Sequence, residues 1–234
     1  METVAVLIPA YNEEDVIGET VKAVLSMPGI AEVVVIDDGS DDRTPFVAHD
    51  AGARVIQLEN NSGKGAALNR GVAETQADIY LMIDADLGTS AEETHRLIEP
   101  LAAGQADMSI AVMRAPSGHK GGFGLVRILA RWGIRKYGGV VVTAPLSGQR
   151  AIRRQVVEDI GGFEERFGVE TALTIDALRK GYKIVEVPLP LTHRATGRDW
   201  RGFVHRARQF WDVWEAISKR KNGKTRCRAN TGTR

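Results

Sequence analysis

The sequence predicts an α/β fold, a Rossmann-like and mostly parallel sheet with helices on both faces. Short β-branched runs alternate with amphipathic helical stretches along the first half of the chain, the pattern of βαβ units. Those runs are almost continuously apolar, as strands become when helices cover both faces of a sheet. Paired acids, Asp37 with Asp38 and Asp84 with Asp86, close two of the runs, and in such sheets ligands gather at the carboxyl ends of the strands.

Five strands are expected in the first half: Val4 to Ile8, Glu32 to Ile36, Arg54 to Leu58, Ile79 to Ile83 and Met108 to Val112. Between them, apolar residues at three- and four-residue spacing predict helices over Glu13 to Ser26, Arg43 to Ala51, Lys64 to Glu74 and Ala91 to Ala103. The second half is less regular. A Gly-rich stretch from Gly118 to Gly124 leads into a helix ending near Lys136, then a β-branched segment from Tyr137 to Pro145 and the stretch Ser147 to Arg153. A helix over Val169 to Lys180, a strand over Lys183 to Val187, a Pro-punctuated segment to Thr192 and a last helix over Trp200 to Lys219 follow. With no internal repeat and no long linker, residues 1–218 read as one domain and 219–234 as a basic tail expected to be disordered.

At 234 residues, 43% hydrophobic and 26% charged, the chain can bury a substantial core and is neither disordered nor collagen-like. Its one cysteine, Cys227, excludes a disulfide framework and a multi-cysteine zinc site and points to a reducing, cytoplasmic setting. No apolar run approaches the roughly 20 residues of a spanning helix. The formal net charge of +1 hides an asymmetry: seven Lys and Arg residues and no acid lie in 219–234, leaving 24 bases against 30 acids in 1–218. An acidic body lacks the footprint of a duplex nucleic-acid binder, so nucleic acid is not an expected partner. The tail either attracts anionic lipid or RNA weakly or is a solvated terminus.

Chemistry is expected where the acids cluster. Asp84-Ala85-Asp86 places two carboxylates on one side of an extended loop, since side chains alternate with period two. Hard oxygen donors suit Mg²⁺ or Mn²⁺, which keep positions open for substrate phosphate oxygens; the same triplet is also common on solvated loops. Pro9-Ala10-Tyr11-Asn12-Glu13 offers an aromatic face and polar atoms suited to a base and ribose. Asn60-Asn61-Ser62-Gly63-Lys64-Gly65 couples glycines, a cation and a positive helix end, all favourable to phosphate. Alternatively, Tyr11 packs and Lys64 is an ordinary first-turn lysine. Neither a Walker loop nor a G-x-G-x-x-G after the first strand is present, which speaks against ATPase and NAD readings.

Six blocks in order, IPAYNEE, VVVIDDGSDDRT, NNSGKGAALNRG, DIYLMIDADL, LSGQRAIRR and GVETALTIDALRKGYKIVEVPL, resemble the family-2 type of GT-A-fold glycosyltransferases from about Val4 to about Gly202. The resemblance implies a GT-A fold, a UDP- or GDP-sugar donor, Mg²⁺ or Mn²⁺ at the D-x-D aspartates, and sugar transfer to an acceptor hydroxyl or phosphate. It places Pro9, Tyr11, Glu13, Asp37 and Asp38 around the nucleoside, Lys64 near it, and Asp84 and Asp86 at the diphosphate. Within the family, GKGAALNRG, DADL, LSGQRAIRR and EVPLPLTHRATGRD are similar to the dolichyl- or polyprenyl-phosphate sugar synthase branch, although Arg194 to Asp199 lacks that branch's Ser-Lys. Gly168-Val169-Glu170, Ile175-Asp176 and Thr192-His193-Arg194 also resemble glucosyl-phosphoglycerate synthases, which makes His193 a candidate third metal ligand.

Glu170 opens its helix where an inverting member carries its acidic catalytic residue. It stands as a base for an alcohol acceptor, an anchor for a donor hydroxyl, or a helix N-terminal acid favouring the dipole. Arg150, Arg153, Arg154, Arg194, Arg198 and Arg201 offer guanidinium forks for phosphate, with Arg194 and Arg198 the selected acceptor contacts. The last helix aligns Trp200, Phe203, Ala207, Phe210, Trp211, Trp214 and Ile217, a stripe that fits a membrane interface, the core or a homodimer partner. The expectation is a cytoplasmic, metal-dependent glycosyltransferase, peripheral at the inner membrane face if its phosphate-bearing acceptor is polyprenyl phosphate. A soluble acceptor such as phosphoglycerate is the alternative. A sugar-phosphate nucleotidyltransferase or a non-catalytic nucleotide-sugar binder is the alternative from another class.

Overall fold

The structure, a computed structural model, describes residues 2–113, 124–164, 168–191 and 201–220, and of 201–209 the backbone alone. Its frame is a seven-stranded sheet. β1 (Val4–Ala10) lies between β2 (Ile30–Asp37) and β4 (Ile79–Met82), and β3 (Arg54–Gln57) flanks β2, all in parallel. β6 (Arg150–Arg153) then enters antiparallel between β4 and β5 (Met108–Met113), and β7 (Ile184–Leu189) closes the edge parallel to β5.

The apolar runs bury on both faces as expected. One core gathers Val6, Ile8, Val33, Val35, Ile79 and Leu81 under α1 (Ile17–Leu25) and α2 (Thr44–Asp50). The other gathers Leu7, Val34, Ile36, Tyr80 and Met82 under α3 (Lys64–Ala73) and α7 (Val169–Arg179). A third core lies outside the sheet, where α5 (Gly124–Gly138), α7 and α8 (Arg201–Lys219) pack through Ile134, Ile175, Val213 and Ile217.

Two expectations change. The helix predicted over Ala91 to Ala103 is a 3₁₀ run, Gly88–Leu97, followed by the single turn α4 (Glu99–Ala102), with Pro100 in its first turn. The stretch Ser147 to Arg153 contains strand β6 and leads directly into α6 (Arg154–Ile160). In β6, Arg150 is paired with Met82 at the carboxyl end of β4, whereas Arg153 is paired with Ile79 at the opposite end. Antiparallel entry therefore brings the loop before β6 to the edge where the acids collect. It takes Arg153 away, to Glu2 and the Leu101 carbonyl, while Arg154 pairs with Glu158. No helix among the described residues is long and apolar enough to cross a membrane.

Candidate active site

Loops from β1 and β2 form one wall. Asn12 takes a left-handed backbone, φ 54°, and is held from both sides: its N–H donates to Ser40 Oγ at 2.9 Å and its Oδ1 accepts from the Asp41 N–H at 2.9 Å. The Glu13 N–H donates to Thr44 Oγ1 at 2.8 Å. Pro9 is half-buried on β1 and Tyr11 stays exposed beside this knot.

Asp37 and Asp38 are both buried, and each carboxylate shapes backbone. Asp37 accepts from the Ser40 hydroxyl at 2.5 Å. Asp38 accepts from the Ser62 and Gly63 N–H groups at 2.8 Å each, which fastens the glycine loop ahead of α3. Gly39, at φ 74°, sits where a Cβ would meet Asn60 backbone at 2.9 Å. Asp38 thus positions the loop that delivers Lys64.

At the centre stands a charged cluster built from four elements. Lys64 Nζ, from the start of α3, is 2.6 Å from Asp84 Oδ1 and 3.0 Å from Glu170 Oε1. Gln149, entering β6, donates its amide to Asp84 Oδ2 at 2.6 Å. Glu170, in the first turn of α7, has a side chain only 12% exposed. Burial alone would pull the Lys64 ammonium down; Asp84 and Glu170 outweigh it and hold its pKa above the ordinary lysine value.

Beneath this cluster lies Arg150, fully buried. Its guanidinium donates to the Ser147 carbonyl at 2.8 Å, Thr174 Oγ1 at 2.8 Å and the Pro145 carbonyl at 3.4 Å. Thr174 in turn donates to the Glu170 carbonyl at 2.7 Å, so one side chain links the loop carrying Gln149 to the helix carrying Glu170. Burial pulls the Arg150 pKa down to about 10 against the attraction of Glu170, Glu186 and Asp84. The phosphate fork considered for Arg150 is therefore turned into the fold.

Of the selected residues, Lys64 meets both Asp84 and Glu170, Pro9 and Asp37 lie at the ends of β1 and β2, and Tyr11, Glu13, Asp38 and Asp86 lie on the loops around the same sheet edge. His193, Arg194 and Arg198 lie outside the described residues. Sequence reasoning missed Gln149 and Gly148. Their signal was the LSGQ segment, whose meaning depends on β6 lying beside β4.

The donor chemistry here fits a hard divalent ion. Asp84 already receives one cation, the Lys64 ammonium, and Asp86 stands two residues along the same turn. No group of three or more His, Cys, Asp or Glu side chains gathers among the described residues. Two carboxylates leave most positions of such an ion to substrate oxygens and water.

The profile described as Glycosyl transferase family 2 matches residues 5–161. Glycosyltransferase AglJ of Haloferax volcanii is 32% identical over 85% of this chain and 66% of its own length. The dolichyl-phosphate hexose transferase of the same organism is 32% identical over 83% of this chain and 85% of its own. Among solved structures, glucosyl-3-phosphoglycerate synthase from Mycobacterium tuberculosis with Mg²⁺ and UDP is 27% identical, with a TM-score of 0.80 over 94% of this chain and 79% of that one. The same synthase with phosphoglyceric acid is 29% identical, with a TM-score of 0.79 over 94% and 80%.

Proposed function

Because the chain belongs to glycosyl transferase family 2 and has the GT-A fold, we propose that it moves a sugar from a nucleoside-diphosphate sugar to a phosphate-bearing acceptor, polyprenyl phosphate in the leading reading. The observation that carries this is the Asp84–Lys64–Glu170 cluster at the carboxyl edge of the sheet. It joins a carboxylate suited to a diphosphate-bound ion with a cation and a second, nearly buried carboxylate. The nucleoside lies between the β1 and β2 loops, against Tyr11, Asp37 and Asp38. Asp84 and Asp86 hold Mg²⁺ or Mn²⁺, which when bound neutralises charge building on the leaving diphosphate.

In the transfer, the bond between the anomeric carbon and the β-phosphate oxygen breaks as the acceptor oxygen bonds to that carbon. A phosphate acceptor arrives as an anion and brings no proton to remove, so Glu170 serves it by orienting the donor. An alcohol acceptor gives its proton to Glu170. Lys64 keeps its charge throughout and, when the donor enters, can pass from Asp84 to the diphosphate. The homologous dolichyl-phosphate hexose transferase supports the polyprenyl reading; the phosphoglycerate-bound neighbour supports a soluble phosphorylated acceptor as the second.

Calorimetric titration of the protein with UDP- and GDP-sugars, with and without Mg²⁺ or Mn²⁺, tests the donor site. Binding of one nucleotide class that strengthens with metal is expected. No binding of either, under any metal, would overturn the assignment.

A further inference from the structure

We propose that the outward face of α5 docks on an anionic lipid bilayer. The helix has two apolar faces. Val126, Ala130 and Ile134 pack inward in the third core, and Gly133 lies against Ile217 of α8. Leu125, Ile128 and Trp132 point outward at 75%, 63% and 41% exposure. Their spacing of i, i+3 and i+7 sets them in one stripe. Val140 and Val141, just beyond the helix, are also exposed.

The charges beside this stripe identify its partner. α5 carries Arg127, Arg131, Arg135 and Lys136 and no acid in its 15 residues. At 100° per residue, Lys136 borders one side of the stripe and Arg135 the other, while half-buried Arg131 donates to the Val142 carbonyl at 3.1 Å and Arg127 lies beside the inward face. Lys136 Nζ sits 4.8 Å from the centre of the Trp132 ring, so ring and cation present an apolar body with a charged tip, the form side chains take at headgroup depth. An anionic bilayer meets both features, acyl chains taking the stripe and headgroups the cations. A second copy of this chain fits worse, because a two-fold contact sets each patch against itself and opposes Arg135 and Lys136 with the same two cations.

The face is also joined to the site. Residues 139–149 run from the end of α5 to Gly148 and Gln149, and Gly138 packs on Leu178 of α7, the helix that opens at Glu170. Docking through α5 would hold that end of the site near the headgroups, where a lipid-borne acceptor phosphate lies.

Flotation of the full chain on vesicles tests this. With phosphatidylcholine alone the protein should stay below; with one-third phosphatidylglycerol it should rise and be released by high salt. The double variant Ile128→Ser, Trp132→Ser should stay below. Arg135→Gln with Lys136→Gln should lower partitioning on the order of tenfold at low salt. All four side chains are exposed, so unchanged thermal midpoints and donor titrations certify the fold. The inference fails if the wild-type protein does not rise, or if the variants rise equally, which would assign binding elsewhere, as in the basic tail. It also fails if light scattering shows a dimer that the α5 variants split while no vesicle binding occurs. Donor titration is independent of all these outcomes, so failure here and failure of the donor-site assignment are separately visible.

Discussion

Gly148 is the tightest point of the site, and replacing it with alanine isolates the central geometry. The added methyl would lie 2.5 Å from Lys64 Nζ and 2.6 and 2.7 Å from the two Asp84 carboxylate oxygens. Ordinary contact begins at 3.4 Å, so the nearest atom must retreat by about 0.9 Å. Lys64 can swing at the end of a flexible stem. Asp84 has less freedom, since Lys64 and Gln149 hold its two oxygens at 2.6 Å each. The methyl therefore parts Lys64 from Asp84 or turns the carboxylate from the donor. Misplacement by about 1 Å in a reacting constellation costs on the order of 10²-fold in rate, or about 2.7 kcal/mol of transition-state stabilisation. The fold should not suffer. Gly148 has no positive φ, and removing a glycine at a compatible position stabilises by about 0.4–1 kcal/mol through the unfolded chain. Steady-state kinetics and thermal melting of one preparation should show kcat/KM for the donor down about 10²-fold with the melting temperature held or raised. Wild-type kcat/KM would refute the reasoning, and so would a loss of folding, which would make Gly148 a packing residue.

Asp86→Ala should abolish the metal-dependent part of donor binding while leaving the melting temperature near wild type; titration with equal affinity with and without metal would remove Asp86 from the ion site. Glu170→Gln should lower turnover far more than donor affinity, by on the order of 10²- to 10⁴-fold if the acceptor is an alcohol, and much less if it is a phosphate. Arg150→Lys keeps the charge but cannot reach three acceptors on two elements at once; kcat should fall with little change in donor KM, and urea unfolding should show a loss of about 1–3 kcal/mol for buried acceptors left without their guanidinium donor. Burial works against the Asp42 carboxylate, but its bonds from Thr44 and Glu14 hold its pKa below 3.8. Its stabilising contribution is present above that value and lost as pH falls through the lower, folded-state pKa. Asp42→Asn should therefore narrow the gap between melting temperatures at neutral and strongly acidic pH, and an unchanged gap would count against it.

The parallel half of the sheet was legible because β1, β2 and β4 are apolar runs covered on both faces, with the edge strand β3 marked by Val55 and Ile56, and Asp37, Asp38 and Asp84 mark its carboxyl edge. β6 was not legible. Arg-Ala-Ile-Arg carries a charge at each end and two apolar residues between, and its full burial at Ala151 and Ile152 comes from insertion between β4 and β5. For the same reason Gln149 and Gly148 gave no warning of their contact with Asp84. Arg150, drawn from an arginine-rich motif, is turned inward because its strand runs through the middle of the sheet. The final helix departs from its expected stripe: of that stripe Ile217 is core, joined by Val213 and Ala216 from outside it, while Trp211 is 67% exposed.

The account turns most directly on transfer itself. The protein, a panel of UDP- and GDP-sugars, Mg²⁺ or Mn²⁺, and either a polyprenyl phosphate in detergent or phosphoglycerate should be incubated together and followed by mass spectrometry, with Asp86→Ala in parallel. The account predicts one donor and one phosphate-bearing acceptor consumed together, a glycosylated acceptor and free nucleoside diphosphate appearing in equal amounts, and none of this without metal or with the variant. Contradiction would be donor turnover that proceeds equally in Asp86→Ala, or, in a parallel tube with pyrophosphate added, conversion of the donor to nucleoside triphosphate and sugar 1-phosphate in place of a glycosylated product.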